Sequence, residues 1–521
     1  MAANGTAQLN LNEFLGINYS RGEHADMRYA TWAENIDTRN GKLECAKGYQ
    51  FSDYTYVPHP FPAHQSDGVI YMIVCFPLRI NGRDFEYKLV ATEKEIYAFA
   101  PTITEDFVSF EWKLLSYSLM GKNWSYVIYE DISPYNSKET ELAILLTNVQ
   151  EGMYAYYTKS SEHFTKIDTP DKFGSMAQYN ERIFGTGSIA NPDRIWYSAP
   201  FNPKDWSLNN EIPEDGAGFI DYPTWDGDSF IALVPFGADL LAFKRNSLCV
   251  LSGTYPGEYT IYKAFGTEGP IAKDTICVYR NMVFFLTTNG IGVYDGSSIR
   301  TISRDAIPHI IDNINMNICI KTAKAVVHDG IYMCAVPYQD SQNNIDVLEY
   351  KNTAVIEYDI ERDTYMLRTG LSVSAWSYNP INTPLVSESL YIATTDQPFT
   401  LNRYGVSNTY SSRPIHTVWQ SPWTDLGHKE SLKSAFRVYT LVEDTGNSDI
   451  ERPTESISFS VETERKIKTK MLNGQFHKAK KKKTLSKAIS NRGRQFRWKI
   501  EADVPWRIST GIQIETELDS D

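Results

Sequence analysis

Along most of this chain, short runs of aromatic and aliphatic residues are separated by Asn, Asp and Gly. EIYAFAP (95–101), GMYAYYT (152–158), RIWYSAP (194–200) and LLAFKRN (240–246) are examples, continued by IGVYDGS (291–297), AVIEYDIERDTY (354–365) and SLYIATT (389–395). Runs of this kind, bounded by turn residues, predict short strands. Their central tyrosines and phenylalanines recur about every 40 to 60 residues, the spacing of four-stranded blades in a β-propeller. Turn residues stand where such meanders need them, as in VHDGIY, TTNGIGVYDGSS and DIERDTY. The pattern predicts six or seven degenerate blades. The single TWDGD (224–228) does not make a WD repeat.

Helical spacing is rare. DAIPHIIDNIN (305–315) is one case, with Asp305 placed as a cap and Pro308 in the first turn, and it predicts a short inter-blade helix. Near the start, Asn40-Gly41 predicts a hairpin between AENID and KLECAKGY. After about residue 410 the pattern becomes strict alternation. In SISFSVETE, Ile457, Phe459 and Val461 share one face; in RISTGIQIETEL, Ile512 and Ile514 share one with Leu518. Half-buried strands of this kind predict a sandwich. The expected organisation is all-β: an N-terminal arm with the first strands over 1–50, a β-propeller over 51–410, and a C-terminal β-sandwich over 415–521.

Charge adds one feature. The chain carries a net −13, yet residues 465–499 hold fourteen Lys and Arg and no Asp or Glu. Without that segment the other 486 residues carry −27, a surface that repels nucleic acid at long range. The Asn473-Gly474 pair and the run Lys480–Lys483 predict a basic hairpin or loop over 465–499. The six cysteines show no C-x-x-C spacing and read as reduced core residues. No basic start leads into an apolar segment, and runs such as VIYMIVCF (69–76) are too short to span a bilayer. These features are those of a chain made and folded in a cytoplasm.

Candidate chemistry is sparse. His59 and His64 share a Pro-rich loop, but no ligand set joins them, so no metal is expected. G-x-S-x-G, H-E-x-x-H and Walker A patterns do not occur. WDGDS (225–229) reads as a turn held by aspartate. A propeller glycosidase would need two carboxylates across a central pocket. Asp226, Asp239, Asp295, Asp329 and Asp359 are available, but the sequence does not pair them, and sialidase Asp-boxes are absent. Catalytic residues and cofactors are therefore not expected. The alternative reading is a propeller that binds or cleaves host-surface glycans.

Several stretches carry a resemblance. NERIFGTGSIANPDRIWYSAPFNPKDW (180–206), WDGDSFIALVPFGADLLAFKRNSLCVLSG (225–253) and GTEGPIAKDTICVYRNMVFFLTTNGIGVYDG (266–296) resemble successive blades of podophage packaged-DNA stabilization proteins and tail nozzle or tail accessory proteins. AENIDTRNGKLECAKGY is similar to that family's opening. Trp423–Gly427, Lys429 and Arg494–Ile500 are similar to its C-terminal sandwich. The likeness is a pattern over most of the chain, and the lysine run at 478–483 departs from it. It implies a structural virion protein in the tail of a bacteriophage, assembled in the host cytoplasm. Several copies, six by this resemblance, would form a ring that extends and seals the DNA conduit. Implied partners are the chain itself, the portal or adaptor, tail fibres or other tail proteins, and genomic DNA passing without sequence specificity. Within this reading the basic segment is a contact for acidic protein surface, ahead of DNA phosphates and of a merely solvated loop. The residues expected to make the contact are Lys478, Lys480, Lys481, Lys482, Lys483, Lys487, Arg492 and Arg494.

Overall fold

A computed structural model describes residues 6–20, 26–50, 67–80, 82–103, 108–119, 121–133, 139–209, 212, 214–224, 227–339, 351–380, 388–429, 431–445, 456–473 and 482–518. The aromatic runs fold as antiparallel meanders. Six four-stranded blades follow one another: blade 1 over 72–116, blade 2 over 125–167, blade 3 over 175–221, blade 4 over 230–263, blade 5 over 277–301 and blade 6 over 324–369. A seventh sheet, blade 7, takes three strands from residues 373–407 and its fourth, Gly48–Gln50, from the N-terminal region. First strands touch from blade 2 to 3 to 4, from blade 5 to 6 to 7, and from blade 7 back to blade 1. Blades 1 and 2, and blades 4 and 5, meet through shared apolar clusters. The circle closes, and the fold is a β-propeller.

Each blade is covered on both faces by its neighbours. Its middle strands are therefore continuously apolar rather than alternating, and every residue of Gly152–Tyr157 is buried. Side chains cross the seams: Phe243 of blade 4 meets Phe285 of blade 5 edge to face at 5.3 Å. Burying each such ring contributes about 1.5–3 kcal/mol. Turns follow local chemistry. Asn180 and Glu181, both at positive φ (44° and 64°), form the tight hairpin of blade 3 that the right-handed strand twist favours.

Between blades 5 and 6 lie two short helices, Pro308–Asp312 and Met316–Thr322. Asp305 does not cap the first of these. Its N-cap is Ile307, which has no capping side chain, and Pro308 opens the helix because its missing N–H needs no partner there. The cap belongs to the second helix, where Asn315 Oδ1 accepts from Ile318 N.

The N-terminal residues are built into both parts of the chain. Gly41, at φ 69°, turns the hairpin that pairs Ile36 with Cys45. Trp32–Glu34 lies between the outer strand of blade 6 and Thr417–Gln420, joining blade 6 to a C-terminal sheet that continues through Phe496–Ala502, Ser456–Thr463 and Ile467–Asn473. A second sheet runs Ile36–Asp37, Leu43–Cys45, Trp506–Leu518, Lys433–Asp444, Lys482–Gly493, and Thr6–Leu11 also pairs with Trp506–Leu518. Residues of both sheets form one core around the fully buried Trp419, Trp498 and Trp506. Asn35 fastens the junction from a left-handed backbone (φ 54°): its Oδ1 accepts from Thr369 N and Tyr410 Oη, and its Nδ2 donates to His416 O.

Candidate functional site

The basic segment, expected as a hairpin or loop, is strand for most of its described length. Ile467–Asn473 ends one C-terminal sheet and Lys482–Gly493 ends the other. A lysine-rich sequence suits such edges because positive charge opposes pairing with a foreign strand. Lys478, Lys480 and Lys481 lie outside the described residues. Lys482, Lys483 and Lys487 stand opposite Glu443, Val442 and Val438 in the ladder, whereas Arg492 stands opposite Ser434. Lys483 and Arg492 are thus roughly 30 Å apart along one strand, so the described members of the expected set are spread along it. Arg492 and Arg494 instead join Arg465 and Lys466, all exposed, at one end of the sheets. There Glu464 accepts from the backbone N–H groups of Arg494 (2.8 Å) and Gln495 (3.1 Å), bringing turns 464–466 and 493–495 together.

A second polar region lies where blades 6 and 7 meet the N-terminal hairpin. Arg39, Lys47, His328, Asp329, Glu357, Arg368 and Tyr404 line a cleft of about 200 Å³. Its floor is an ion pair: Arg368 Nη2 donates to Glu357 Oε2 at 2.6 Å, and Arg368 Nη1 donates to Ile36 O at 2.8 Å, with both side chains buried. Burial would lower the arginine's pKa, but the Glu357 carboxylate more than offsets it, so the guanidinium stays charged. At the rim, His328, Asp329 and Glu388 place ligand-capable atoms within 4.8 Å of one another. Tyr378 Oη donates to Glu388, and the Tyr378 ring lies 4.9 Å from that of His328. One imidazole nitrogen and two carboxylates could hold a divalent cation. No spacing rule reveals this group, because it joins the first turns of two different blades.

Of the five aspartates considered for a catalytic pair, Asp329 lines the cleft just described, and three others are taken up by local hydrogen bonds. Asp226 is outside the described residues. Asp239 accepts from Ser252 Oγ, Asp295 from the N–H groups of Ser297 and Ser298, and Asp359 from those of Glu361 and Arg362. Asp295 is held down at about 2 by its backbone and serine hydrogen bonds. Asp228, the second acid of WDGDS, caps the turn at Arg245 and Asn246. Among the described residues, every carboxylate whose pKa is displaced is displaced downward.

No protein-family model and no curated protein matches this sequence. Solved β-propellers do match its fold. The Neurospora crassa Pan2 WD40 domain is 11% identical, with 70% of this chain and 100% of that one covered and a TM-score of 0.38. BBS1N, solved in complex with ARL6DN, is 12% identical, covering 70% and 99%, with a TM-score of 0.39. A chain of Chaetomium thermophilum Polycomb Repressive Complex 2 is 8% identical, covering 70% and 98%, with a TM-score of 0.37. At these identities the likeness is one of fold alone.

One end of the propeller axis is crossed by side chains. Lys273 precedes the inner strand of blade 5, yet its Nζ donates to Asn123 O (3.0 Å) at the entry to blade 2 and to Gly174 O at the entry to blade 3. The adjacent Asp274 meets Lys324 Nζ of blade 6 at 2.5 Å. Burial lowers the Lys273 pKa from 10.5 to about 8. From pH 8 to 10.5 the unfolded chain therefore holds a proton that the folded chain lacks, and raising pH favours folding through this group. The buried thiols act oppositely above pH 9; Cys75, for example, is pushed up to about 12. Lys273→Met isolates the lysine. Between pH 7.5 and 9.5, wild-type stability should gain roughly 1–2 kcal/mol on the variant in urea unfolding. A constant gap between the two would show that the amine is not desolvated.

Proposed function

We propose that this chain is a structural subunit of the tail of a tailed bacteriophage, working as a ring of copies that extends and seals the conduit for DNA and docks other tail proteins. One observation carries this reading. The three resemblance stretches, 180–206, 225–253 and 266–296, fall in succession on blades 3, 4 and 5, one repeat of the family pattern to each. Two further features support it. The N-terminal strands fasten the propeller to the C-terminal sheets, which suits a part that transmits force. With side chains crossing one end of its axis, each propeller would act as a solid wall unit, and DNA would run through the opening that the copies enclose. Turn loops on the two propeller faces can vary independently and serve as docking points.

The glycan-cleaving alternative has less support, because Asp239, Asp295 and Asp359 are each taken up by local hydrogen bonds. Negative-stain electron microscopy of the purified chain, from dilute to tens of micromolar, is the test. Rings with an opening wide enough for duplex DNA are expected. A chain that stays monomeric throughout would overturn the proposal, and clearance of a bacterial surface polysaccharide would then favour the alternative.

A further inference from the structure

The geometry points to a head-to-tail contact between copies of this chain, in which the outer rim of blades 3 and 4 receives the basic end of the C-terminal sheets of the next copy. The inference rests on the ring reading above and assigns that ring its two faces.

The first face is an uncovered aromatic patch. Phe265 is 83% exposed, Phe201 65% and Tyr262 52%, with Tyr255 exposed between them on the loop that leads into the outer strand of blade 4. Bulky apolar side chains grouped in this way on a folded surface mark a contact site. Phe201 and Tyr255 are joined at one end of the rim, whereas Phe265 lies at the other end of the strand Thr260–Lys263, bridged to Ser298 of blade 5. Phe201 N donates to Glu181 O, and the neighbouring Asn180 Nδ2 donates to Gly253 O, two residues before Tyr255. Phe201 is held at φ 55°, a left-handed backbone that a bulky residue seldom adopts, which fixes its ring on the outside. Acids border the patch: Glu181, Glu214, Asp215 and Glu258 are all exposed, and the exposed cations beside them are Lys263 and Lys204, the latter 3.6 Å from Asp131.

The second face has the opposite character. At the end of the C-terminal sheets, Arg465, Lys466, Arg492 and Arg494 are exposed, and beside them Ile467 is 62% exposed. The acid among them, Glu464, is turned inward to the backbone of Arg494 and Gln495, and those hydrogen bonds hold its pKa below the usual range against the cost of burial. This end is remote from Thr417, where the chain leaves the propeller, because Thr417 pairs with Ala502 at the other end of the strand Phe496–Ala502.

Placement makes the second copy the fitting partner. The C-terminal sheets join the propeller at blades 6 and 7. In a circle of seven sheets, blade 3 stands across the axis from the boundary of blades 6 and 7. The acidic aromatic face and the basic face therefore lie on opposite sides of one molecule. Two unlike, complementary faces so placed build a directional contact that repeats from copy to copy and can close into a ring.

A charge exchange tests this. In mass photometry and analytical ultracentrifugation of the full chain, Glu214→Lys with Glu258→Lys, and separately Arg465→Glu with Arg494→Glu, should each weaken self-association about ten-fold or more, and the two sets combined should recover most of it. All four side-chain changes are at exposed positions, so melting temperatures should stay at the wild-type value. If the wild type assembles and neither set weakens it, or the combination fails to restore it, the faces are wrongly assigned while the ring reading stands. If the wild type remains a monomer at every concentration, both readings fall.

Discussion

Removing residues 6–50 is expected to leave a chain that does not fold. These residues supply the outer strand of blade 7 and strands of both C-terminal sheets. Phe14 packs edge to face on Trp419 at 5.4 Å, and Tyr49 stacks on Tyr410 at 5.9 Å. Phe14, Ile36, Leu43 and Tyr49 are all essentially without solvent contact. At about 1.5–3 kcal/mol each, their loss alone is comparable to the roughly 5–15 kcal/mol that holds a typical domain together. The freed edges of blade 7 and the C-terminal sheets would then be open to aggregation. Tyr49→Ala is the milder version. It should cost about 3–5 kcal/mol, read as a lower denaturation midpoint with the strand signal of circular dichroism retained. A truncated chain that melts cooperatively at the wild-type temperature would falsify this account of the N-terminal region.

The buried pair beneath the polar cleft should respond in an equally lopsided way. Glu357→Leu leaves the Arg368 guanidinium buried without its carboxylate, and should destabilise by about 3–5 kcal/mol. Adding Arg368→Met should recover most of that loss, because a buried ion pair offers little net stability over apolar side chains of similar size. Recovery should be incomplete by about 1 kcal/mol, since Arg368 also donates to Ile36 O and that carbonyl would lose its partner. Urea unfolding of the two single variants and the double variant gives the coupling directly. A single Glu357→Leu cost below about 1 kcal/mol would mean that water already reaches the pair.

The propeller was legible because its blades leave a local trace. The seven quoted stretches fall one to a sheet. Those at 95–101, 152–158, 194–200, 291–297 and 354–365 cover third strands, whereas 240–246 and 389–395 cover second strands. Both middle strands of a blade are covered on two faces, so both read as apolar runs, and periodicity does not tell one from the other. Pairings between distant residues left no such trace. Nothing local marks Gly48–Gln50 as the fourth strand of a sheet formed by residues 373–407, or Trp32–Glu34 as the joint between blade 6 and Thr417–Gln420. The basic segment shows the limit for sites. Its charge was plain, and turn residues and lysines suggested a hairpin or loop, but nothing local showed that its two strands edge different sheets or that a length of strand separates Lys482 and Lys483 from Arg492 and Arg494. The His328–Asp329–Glu388 group exists only once blades 6 and 7 have packed, and the reach of Lys273 across the axis only once the circle has closed.

Pairing of Thr6–Leu11 with Trp506–Leu518 also sets an order of events. At roughly 5–20 residues per second of synthesis, the first of these strands waits about half a minute or more for the second. During that time the propeller can close, because its last blade takes Gly48–Gln50, but the second C-terminal sheet keeps an open slot beside Thr6–Leu11. A copy released early from the ribosome would keep that slot exposed and stay recognisable to proteases and chaperones. Filling that slot thus ties an early-made strand to one made about 500 residues later.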